Sequence, residues 1–297
     1  MTNTPDWQYI AKQIEQTTEQ PFTVINSRPV GGGCINTAYI LQGQNSSYFI
    51  KLNRHELLSM FEAEFAGLQE IAQTKTVPVP QAIIYGISGD KAFLVLNNIQ
   101  LATSNTQSDK QLGQQLAELH KIQQPYFGWH QNNTIGSTEQ INQRSDDWIS
   151  FWRKQRLSFQ LSLAEKNGYG GKLTQSGEKL SESLDYFFDH YKPQPSLLHG
   201  DLWSGNYAAT NKGDAIIYDP ACYYGDRETD IAMTELFGGF GSSFINTYNN
   251  AYPLHSDYSI RKTLYNLYHI LNHLNLFGSS YQHQAQCMID SLLSEIA

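Results

Sequence analysis

The segment Leu197-Leu198-His199-Gly200-Asp201-Leu202-Trp203-Ser204-Gly205-Asn206 constrains this chain more than any other. Its apolar start predicts a short buried strand that stops at His-Gly-Asp, with a carboxamide five residues after the carboxylate. A second apolar run, Ile216-Ile217-Tyr218, ends in Asp219-Pro220. Phosphoryl transfer from a magnesium nucleotide needs these groups. One Asp orients the attacking hydroxyl, and an Asn with a second Asp holds Mg²⁺ against the phosphates. Strands also end in Asp or Asn for turn chemistry alone. Here the spacing and the strand context both match the phosphotransfer template.

A length of 297 residues allows one large domain or two lobes, either with a sizeable core. The net charge of −8 argues against nucleic acid or an anionic membrane as partner and is compatible with a cationic, amine-bearing substrate. Cys34, Cys222 and Cys287 are too far apart to read as a metal or redox pair. The first six residues carry no basic or apolar targeting pattern. No apolar run approaches the ~20 residues that span a bilayer. The expectation is a soluble cytoplasmic protein with reduced thiols.

Ahead of the central segment, residues 7–16 predict a short amphipathic helix. Residues 24–30 and 35–41 predict two strands joined by Gly31-Gly32-Gly33-Cys34. Such a turn lets backbone N–H groups approach phosphate, although three glycines also make an ordinary hairpin. It lacks the Gly-Lys-Ser/Thr ending of a Walker loop and does not precede a helix as dinucleotide loops do. Residues 46–52 predict a strand with Lys51 inside it. A strand lysine commonly faces solvent; alternatively it reaches nucleotide phosphates and is fixed by a carboxylate. The helix predicted over 56–73 supplies one: Glu64 falls on the stripe of Leu57, Phe61, Leu68 and Ile71, where an unpartnered charge is costly. Glu62 lies round the helix and reads as solvated. Lys51 is therefore paired with Glu64.

Residues 82–87 and 92–96 predict an antiparallel pair running into Asn97-Asn98-Ile99. Backbone groups there are placed to meet an adenine edge, though the asparagines do not exclude an ordinary loop. From about residue 109 the apolar period changes from two to 3.6. Asp109 is the expected N-cap of a helix over 111–122, with His120 as a structural residue near its end. Residues 123–145 are expected to be mostly loop. Helices follow over 146–165 and 176–191, then after the central strands over 230–238, 243–251, 258–277 and 281–296. Asp226 is an expected N-cap. Asp230 is placed to anchor the catalytic loop through its backbone. His269 and His273, one turn apart, have no third metal ligand nearby and read as packing or substrate hydrogen-bonding groups.

These residues resemble the fructosamine/ketosamine-3-kinase family, within the aminoglycoside phosphotransferase and protein-kinase-like superfamily. His199-Gly200-Asp201 with Asn206 is the superfamily pattern. The Leu202-Trp203-Ser204-Gly205 filling and Tyr223-Tyr224-Gly225-Asp226-Arg227-Glu228 are specific to the family. Phe61-Glu62-Ala63-Glu64, Arg156-Leu157-Ser158-Phe159-Gln160-Leu161 and Tyr268-His269-Ile270-Leu271-Asn272-His273 extend the resemblance over nearly the whole chain.

The resemblance implies an α+β, two-lobed protein-kinase-like fold. Residues 1–100 would form a small antiparallel-sheet, nucleotide-binding lobe, and 101–297 a mainly helical catalytic and substrate-binding lobe. It implies ATP with Mg²⁺, and phosphorylation of the 3-hydroxyl of a ribulosamine, erythrulosamine or fructosamine on an amine or a protein lysine, a deglycation repair. Asp201 would accept the proton, Asn206 and Asp219 would bind magnesium, and Lys51 paired with Glu64 would hold phosphate. Gly32 and Gly33 would cover the triphosphate, and Asn97, Asn98 and Ile99 would meet adenine. Asn97-Asn98 stands where the family often has an acidic-aromatic pair. Cys34 resembles the loop cysteine of redox-sensitive members, so the resemblance allows a monomer or a homodimer cross-linked through Cys34. Trp203 is a candidate sugar platform or a packing residue beneath its loop. A protein kinase is disfavoured because no Asp-Phe-Gly or Ala-Pro-Glu follows Asp219. The rivals are a kinase of another small alcohol, of aminoglycoside or choline type, and a catalytically silent nucleotide-binding regulator.

Overall fold

The computed structural model describes residues 5–31 and 35–296. Gly32, Gly33 and Cys34, expected to cover phosphate and to carry a redox link, lie outside the described residues.

The N-terminal region is a five-stranded antiparallel sheet of order β1-β2-β3-β5-β4. It is built from β1 (Asn26–Val30), β2 (Thr37–Gln42), β3 (Ser47–Arg54), β4 (Ala82–Ser88) and β5 (Lys91–Asn97). The period-two alternation of β3 decides what each face carries. Tyr48, Ile50 and Leu52 point to the face covered by α1 (Trp7–Thr18), where they meet Ile10 and Ile14. The opposite face, with Phe49, Leu94 and Leu96, packs on Met60, Phe61 and Leu68 of α2 (Leu58–Thr74). Lys51 alternates onto the α2 face, directly across from Leu94 of β5. At the start of α1, Asp6 caps the helix by accepting from the Tyr9 amide at 3.0 Å.

Beyond β5 the chain is mainly helical, giving the expected α+β, two-lobed, protein-kinase-like architecture. After β6 (Leu101–Ala102) come α3 (Thr106–Leu119), the hairpin β7 (Asn133–Ile135) and β8 (Thr138–Gln140), α4 (Trp148–Trp152), α5 (Ser158–Lys166) and α6 (Lys172–Glu182). The central strands are β9 (Ser196–Leu198), β10 (Tyr207–Thr210), β11 (Ala215–Ile217) and β12 (Tyr223–Gly225). Then follow α7 (Glu228–Leu236), α8 (Ser242–Ala251), α9 (Tyr258–Phe277) and α10 (Gln282–Ile296). Leu264, Leu267, Leu271 and Leu274 of α9 are all buried in one large core with Leu112, Leu116 and the Trp148–Trp152 aromatics.

Three expectations are corrected. The N-cap of α3 is Asn105, not Asp109, because Asn105 and Ser108 form a reciprocal capping box. Asp109 instead accepts from the Tyr207 hydroxyl at 3.0 Å. The stretch 123–145 is mostly loop, as expected, and carries the short β7–β8 hairpin. The helix expected over 146–165 is interrupted by a π-helical turn at Arg153–Leu157. The helix expected over 176–191 is α6, which starts at Lys172 and gives way to a 3₁₀ turn at Leu184–Phe188. Among the described residues no helix is long and apolar enough to cross a membrane.

Candidate active site

The first side chain of the site comes from β3. Lys51 Nζ donates to Glu64 Oε1 and to Asp219 Oδ1, each at 2.6 Å. The lysine is buried. Burial opposes its charge, but Asp219 and Glu64 outweigh it and raise its pKa. Burial likewise pushes the Glu64 carboxyl up to about 7, against the pull of Lys51. The Lys51–Glu64 pairing expected from the helical stripe is therefore present, with Asp219 as a third member.

The second group sits where β9 ends. Gly200 has φ of +83°, and an added Cβ would lie 2.1 Å from the Ala221 carbonyl oxygen. Only glycine allows the loop this close to the strand-end segment that carries Asp219. Asp230, at the start of α7, accepts from the His199 amide at 2.7 Å and the Gly200 amide at 2.8 Å. This is the backbone anchor expected of it. Burial works against its charge, yet His120, His199 and the Gly200 amide hold its carboxyl below the usual range. The His199 ring spans the loop: Nε2 bonds the Tyr218 carbonyl at 3.0 Å and Nδ1 accepts from the Asp201 amide at 3.2 Å. A carbonyl partner on Nε2 assigns the proton there, so the ring is neutral. Burial lowers its pKa accordingly. The ring thus joins the loop of Asp201 to the strand leading to Asp219.

Asn206 Nδ2 donates to the Asp201 carbonyl at 2.9 Å and to its Oδ2 at 3.2 Å. The Tyr218 amide donates back to the Asn206 carbonyl at 3.0 Å. Burial first, then Asp219, push the Asp201 carboxyl up to about 7. Asp219 itself has φ of +59°, an uncommon left-handed conformation for a residue with a Cβ. Asp201, Asn206, Asp219, Lys51 and Glu64 are thereby drawn into one cluster, linked by direct contacts and a shared backbone frame.

At the end of β5 the backbone is more committed than the sequence indicates. The Asn97 and Asn98 amides donate to the Gln81 and Ser47 carbonyls. Asn97 Oδ1 accepts from the Gln81 amide at 2.6 Å, and Asn98 Nδ2 donates to Ser47 Oγ at 2.9 Å. Both asparagines therefore stiffen this segment. Among the described residues the Ile99 amide makes no hydrogen bond.

Two sets of contacts were not assigned from the sequence, although Arg156 and Tyr224 stand in segments that carry the resemblance. Glu70 of α2 accepts from Trp129 Nε1 at 2.5 Å and from the Tyr224 hydroxyl at 2.7 Å, tying the helix that carries Glu64 to the helical lobe. The sequence signal is faint, because Glu70 lies off the apolar stripe and resembles a solvated charge. Arg156 is buried, with its guanidinium 4.3 Å from the Tyr223 ring centroid. It donates to Asn142 Oδ1 at 2.7 Å. Asn142, Asn133 and Gln140 continue this network to the Ala221 and Cys222 carbonyls, just past Asp219. Among the described residues Arg156 has no carboxylate partner, so it leaves no pairing pattern in sequence.

Other expected groups are structural. His120 is buried between the Tyr248 hydroxyl and Asp230. Asp226 accepts from the Glu228 amide, as an N-cap does, and from the hydroxyls of Tyr191 and Tyr265. His273 Nδ1 donates to the His269 carbonyl at 2.8 Å. Among the described residues no group of three or more His, Cys, Asp or Glu side chains is arranged to hold a metal.

A small antiparallel sheet bearing a lysine paired to a helix glutamate, above a helical lobe with an Asp–Asn loop and a second strand-end Asp, defines a protein-kinase-like phosphotransferase. Solved structures agree on the fold. The gentamicin complex of APH(2")-IIa matches with a TM-score of 0.62 at 16% identity over 99% of this chain and 96% of that one. A Haemophilus somnus structure assigned by name to fructosamine-3-kinases matches with a TM-score of 0.89 at 28% identity over 97% of both chains. The fructosamine kinase family model matches residues 6–295. The chain belongs to the fructosamine kinase family. It is 46% identical to a Synechocystis protein named a probable ketoamine kinase, over 97% of both. It is 42% identical to the chloroplastic protein-ribulosamine 3-kinase of Arabidopsis thaliana, over 89% of this chain and 81% of that protein.

Proposed function

We propose that this protein transfers the γ-phosphoryl group of ATP to the 3-hydroxyl of a ketosamine, a ketose carried on an amine or a lysine. The observation that supports this best is the cluster itself. Asp201 and Asn206 are hydrogen-bonded to each other, and Asp219 and Glu64 share a buried lysine. The family and the names of its relatives supply the acceptor class.

In this reading Asp201 orients the sugar hydroxyl and takes its proton, while Lys51 neutralises the nucleotide's phosphates. Glu64 keeps the Lys51 ammonium in place. The residues present also fit a magnesium ion. Asn206 commits its amide nitrogen to Asp201, and its Oδ1 makes no hydrogen bond among the described residues. Among the described residues Asp219 bonds through Oδ1 alone, to Lys51. Asn206 and Asp219 thus offer hard oxygen donors of the kind Mg²⁺ takes beside phosphate and water. When bound, the ion neutralises charge on the phosphates. The Ile99 amide is the donor assigned to the adenine edge.

The test is ATP consumption with ribulosyl-lysine, fructosyl-lysine, an aminoglycoside and choline, with the phosphate position read by NMR. Phosphate on the ketose 3-hydroxyl is expected. Transfer only to an aminoglycoside or choline, or ATP binding without transfer to any alcohol, refutes the assignment.

A further inference from the structure

Asp219 keeps a left-handed φ of +59°. A residue with a Cβ stays in that region only where its surroundings restrain it. The two residues after Pro220 show where the restraint comes from. The Ala221 amide donates to the His199 carbonyl at 2.8 Å, which ties one side of the turn to the catalytic loop. The other side is held by side chains of the β7–β8 hairpin, about eighty residues earlier in the chain. Gln140 Nε2 donates to the Ala221 carbonyl at 3.1 Å, and Asn133 Nδ2 donates to the Cys222 carbonyl at 2.7 Å. Gln140 is itself fixed on α9, where its Oε1 accepts from the Tyr268 hydroxyl at 2.8 Å.

Arg156 orders these amides. Its Nη2 donates to Asn142 Oδ1 at 2.7 Å, and its Nη1 donates to the Ile141 carbonyl at 2.5 Å. A guanidinium only donates, so the Asn142 oxygen must face it and the Asn142 nitrogen must face away. That nitrogen donates to Asn133 Oδ1 at 2.9 Å, and Gln140 Nε2 donates to the same oxygen at 2.8 Å. The Asn133 nitrogen is left to face the Cys222 carbonyl, which only accepts. The chain of amides therefore has one direction, set by a pure donor at one end and a pure acceptor at the other. Such a network rigidifies what it holds when its members are satisfied. Packing does not explain the cation. Arg156 lies in the π-helical turn Arg153–Leu157, over the Phe151 and Tyr223 rings at 4.7 and 4.3 Å. An apolar side chain of that volume would fill the space without desolvating a charge. Helical turns of this kind recur at functional sites. Arg156, Gln140 and Asn142 are at most 1% exposed and Asn133 is 7% exposed, so their action on the reaction passes through the backbone they hold.

We propose that Arg156 and Gln140 are positioning residues for Asp219. Through Asn142 and Asn133 they fix the Ala221 and Cys222 carbonyls, and so hold the Asp219 carboxylate in the orientation that serves the nucleotide's phosphates and their Mg²⁺. This rests on the role given to Asp219 above and names the distant residues that aim it.

The experiment measures binding of a non-hydrolysable ATP analogue by calorimetry, with and without Mg²⁺. Wild-type affinity should rise when Mg²⁺ is added. In Arg156→Met that gain should shrink about tenfold, the size of the restraint released at Asp219, while affinity without Mg²⁺ stays within about twofold. Arg156→Lys keeps a cation for Asn142 and should recover part of the gain. Gln140→Met removes the donor to Ala221 but leaves Arg156 and its aromatic neighbours in place. It should show the same loss, and it carries the test if Arg156→Met does not fold. A role in folding alone would lower the melting temperature and the number of binding sites per chain, yet leave the gain per site unchanged. An unchanged gain in a folded Arg156→Met or Gln140→Met overturns the proposal, as does a wild type that gains nothing from Mg²⁺. Failure of the ketosamine reading looks different: the wild type transfers phosphate to no ketosamine, while its Mg²⁺ gain is present and is lost in the variants, which supports the positioning role.

Discussion

Lys51 and Asp219 are 168 residues apart in the chain, yet Lys51 Nζ lies 2.6 Å from Asp219 Oδ1. The same ammonium lies 2.6 Å from Glu64. One cation therefore fixes the sheet, α2 and the strand end of the helical lobe to one another. Lys51→Met leaves Glu64 buried without its partner. Removing one member of a buried pair costs about 3 kcal/mol, so the unfolding midpoint should fall in denaturant titration. Turnover should fall by about 10²-fold or more, because the phosphates lose their fixed positive charge.

Asp201→Asn keeps the shape of the side chain and removes its ability to take a proton. Its hydrogen bond from Asn206 becomes a contact between two amides. The variant should fold with an unchanged circular dichroism spectrum and lose about 10²–10⁴-fold in kcat. Near-wild-type kcat would show that another group accepts the proton.

Gly200→Ala should be far worse than Gly168→Ala, although both glycines have φ near +85°, at +83° and +88°. Nothing lies within 4 Å of a Cβ added at Gly168, whereas at Gly200 the Ala221 carbonyl is in the way. Gly168→Ala carries only the backbone cost, roughly 1–2 kcal/mol, and should leave activity intact. Gly200→Ala must also part the two loops that bring Asp201 and Asp219 together. Thermal melts and turnover of the pair measure the difference.

Glu70→Ala removes the acceptor for both Trp129 and Tyr224. Hydrogen bonds to a charged group contribute about 1.5–3 kcal/mol each, so stability should drop by several kcal/mol at most. Because α2 carries Glu64, kcat should fall as well. Glu70→Gln keeps one acceptor oxygen and should recover part of both losses.

His269 is buried, and burial, aided by His273 and Arg156 and opposed by Asp230, lowers its pKa to about 3. The unfolded chain takes a proton on this ring below about 6.5, whereas the folded chain does not until about 3. Stability contributed by the neutral ring is thus lost as pH falls through that window. Glu228, pushed up to about 7 by burial and by Asp226, acts with the opposite sign. The informative quantity is therefore the difference between wild type and His269→Gln. Between pH 6 and pH 4 the wild type should lose up to about 1.4 kcal/mol per pH unit more than the variant in urea titrations. Parallel curves would mean that His269 is protonated in the native state.

Much of the local structure was legible before any coordinates. The 3.6-residue period of α2 placed Glu64 on the buried stripe, and its pairing with Lys51 followed from the cost of burying that carboxylate alone. Capping was less legible: Asn105 and Asp109 both qualify as N-caps, and only the bond between Asn105 and Ser108 separates them. The π-turn at Arg153–Leu157 and the β7–β8 hairpin left no pattern, since each depends on what packs against it.

What the chain's order of residues determined by itself was the chemistry available. It placed a carboxylate and a carboxamide at one strand end, a second carboxylate at the next, and a lysine in a buried strand. These follow from short-range periodicity and spacing. The tertiary structure alone decided the company each group keeps: Asp219 on Lys51, Glu70 on Trp129 and Tyr224, and Arg156 among aromatic rings. Contacts between residues distant in sequence depend on how whole layers pack, and packing leaves no local signature along the chain.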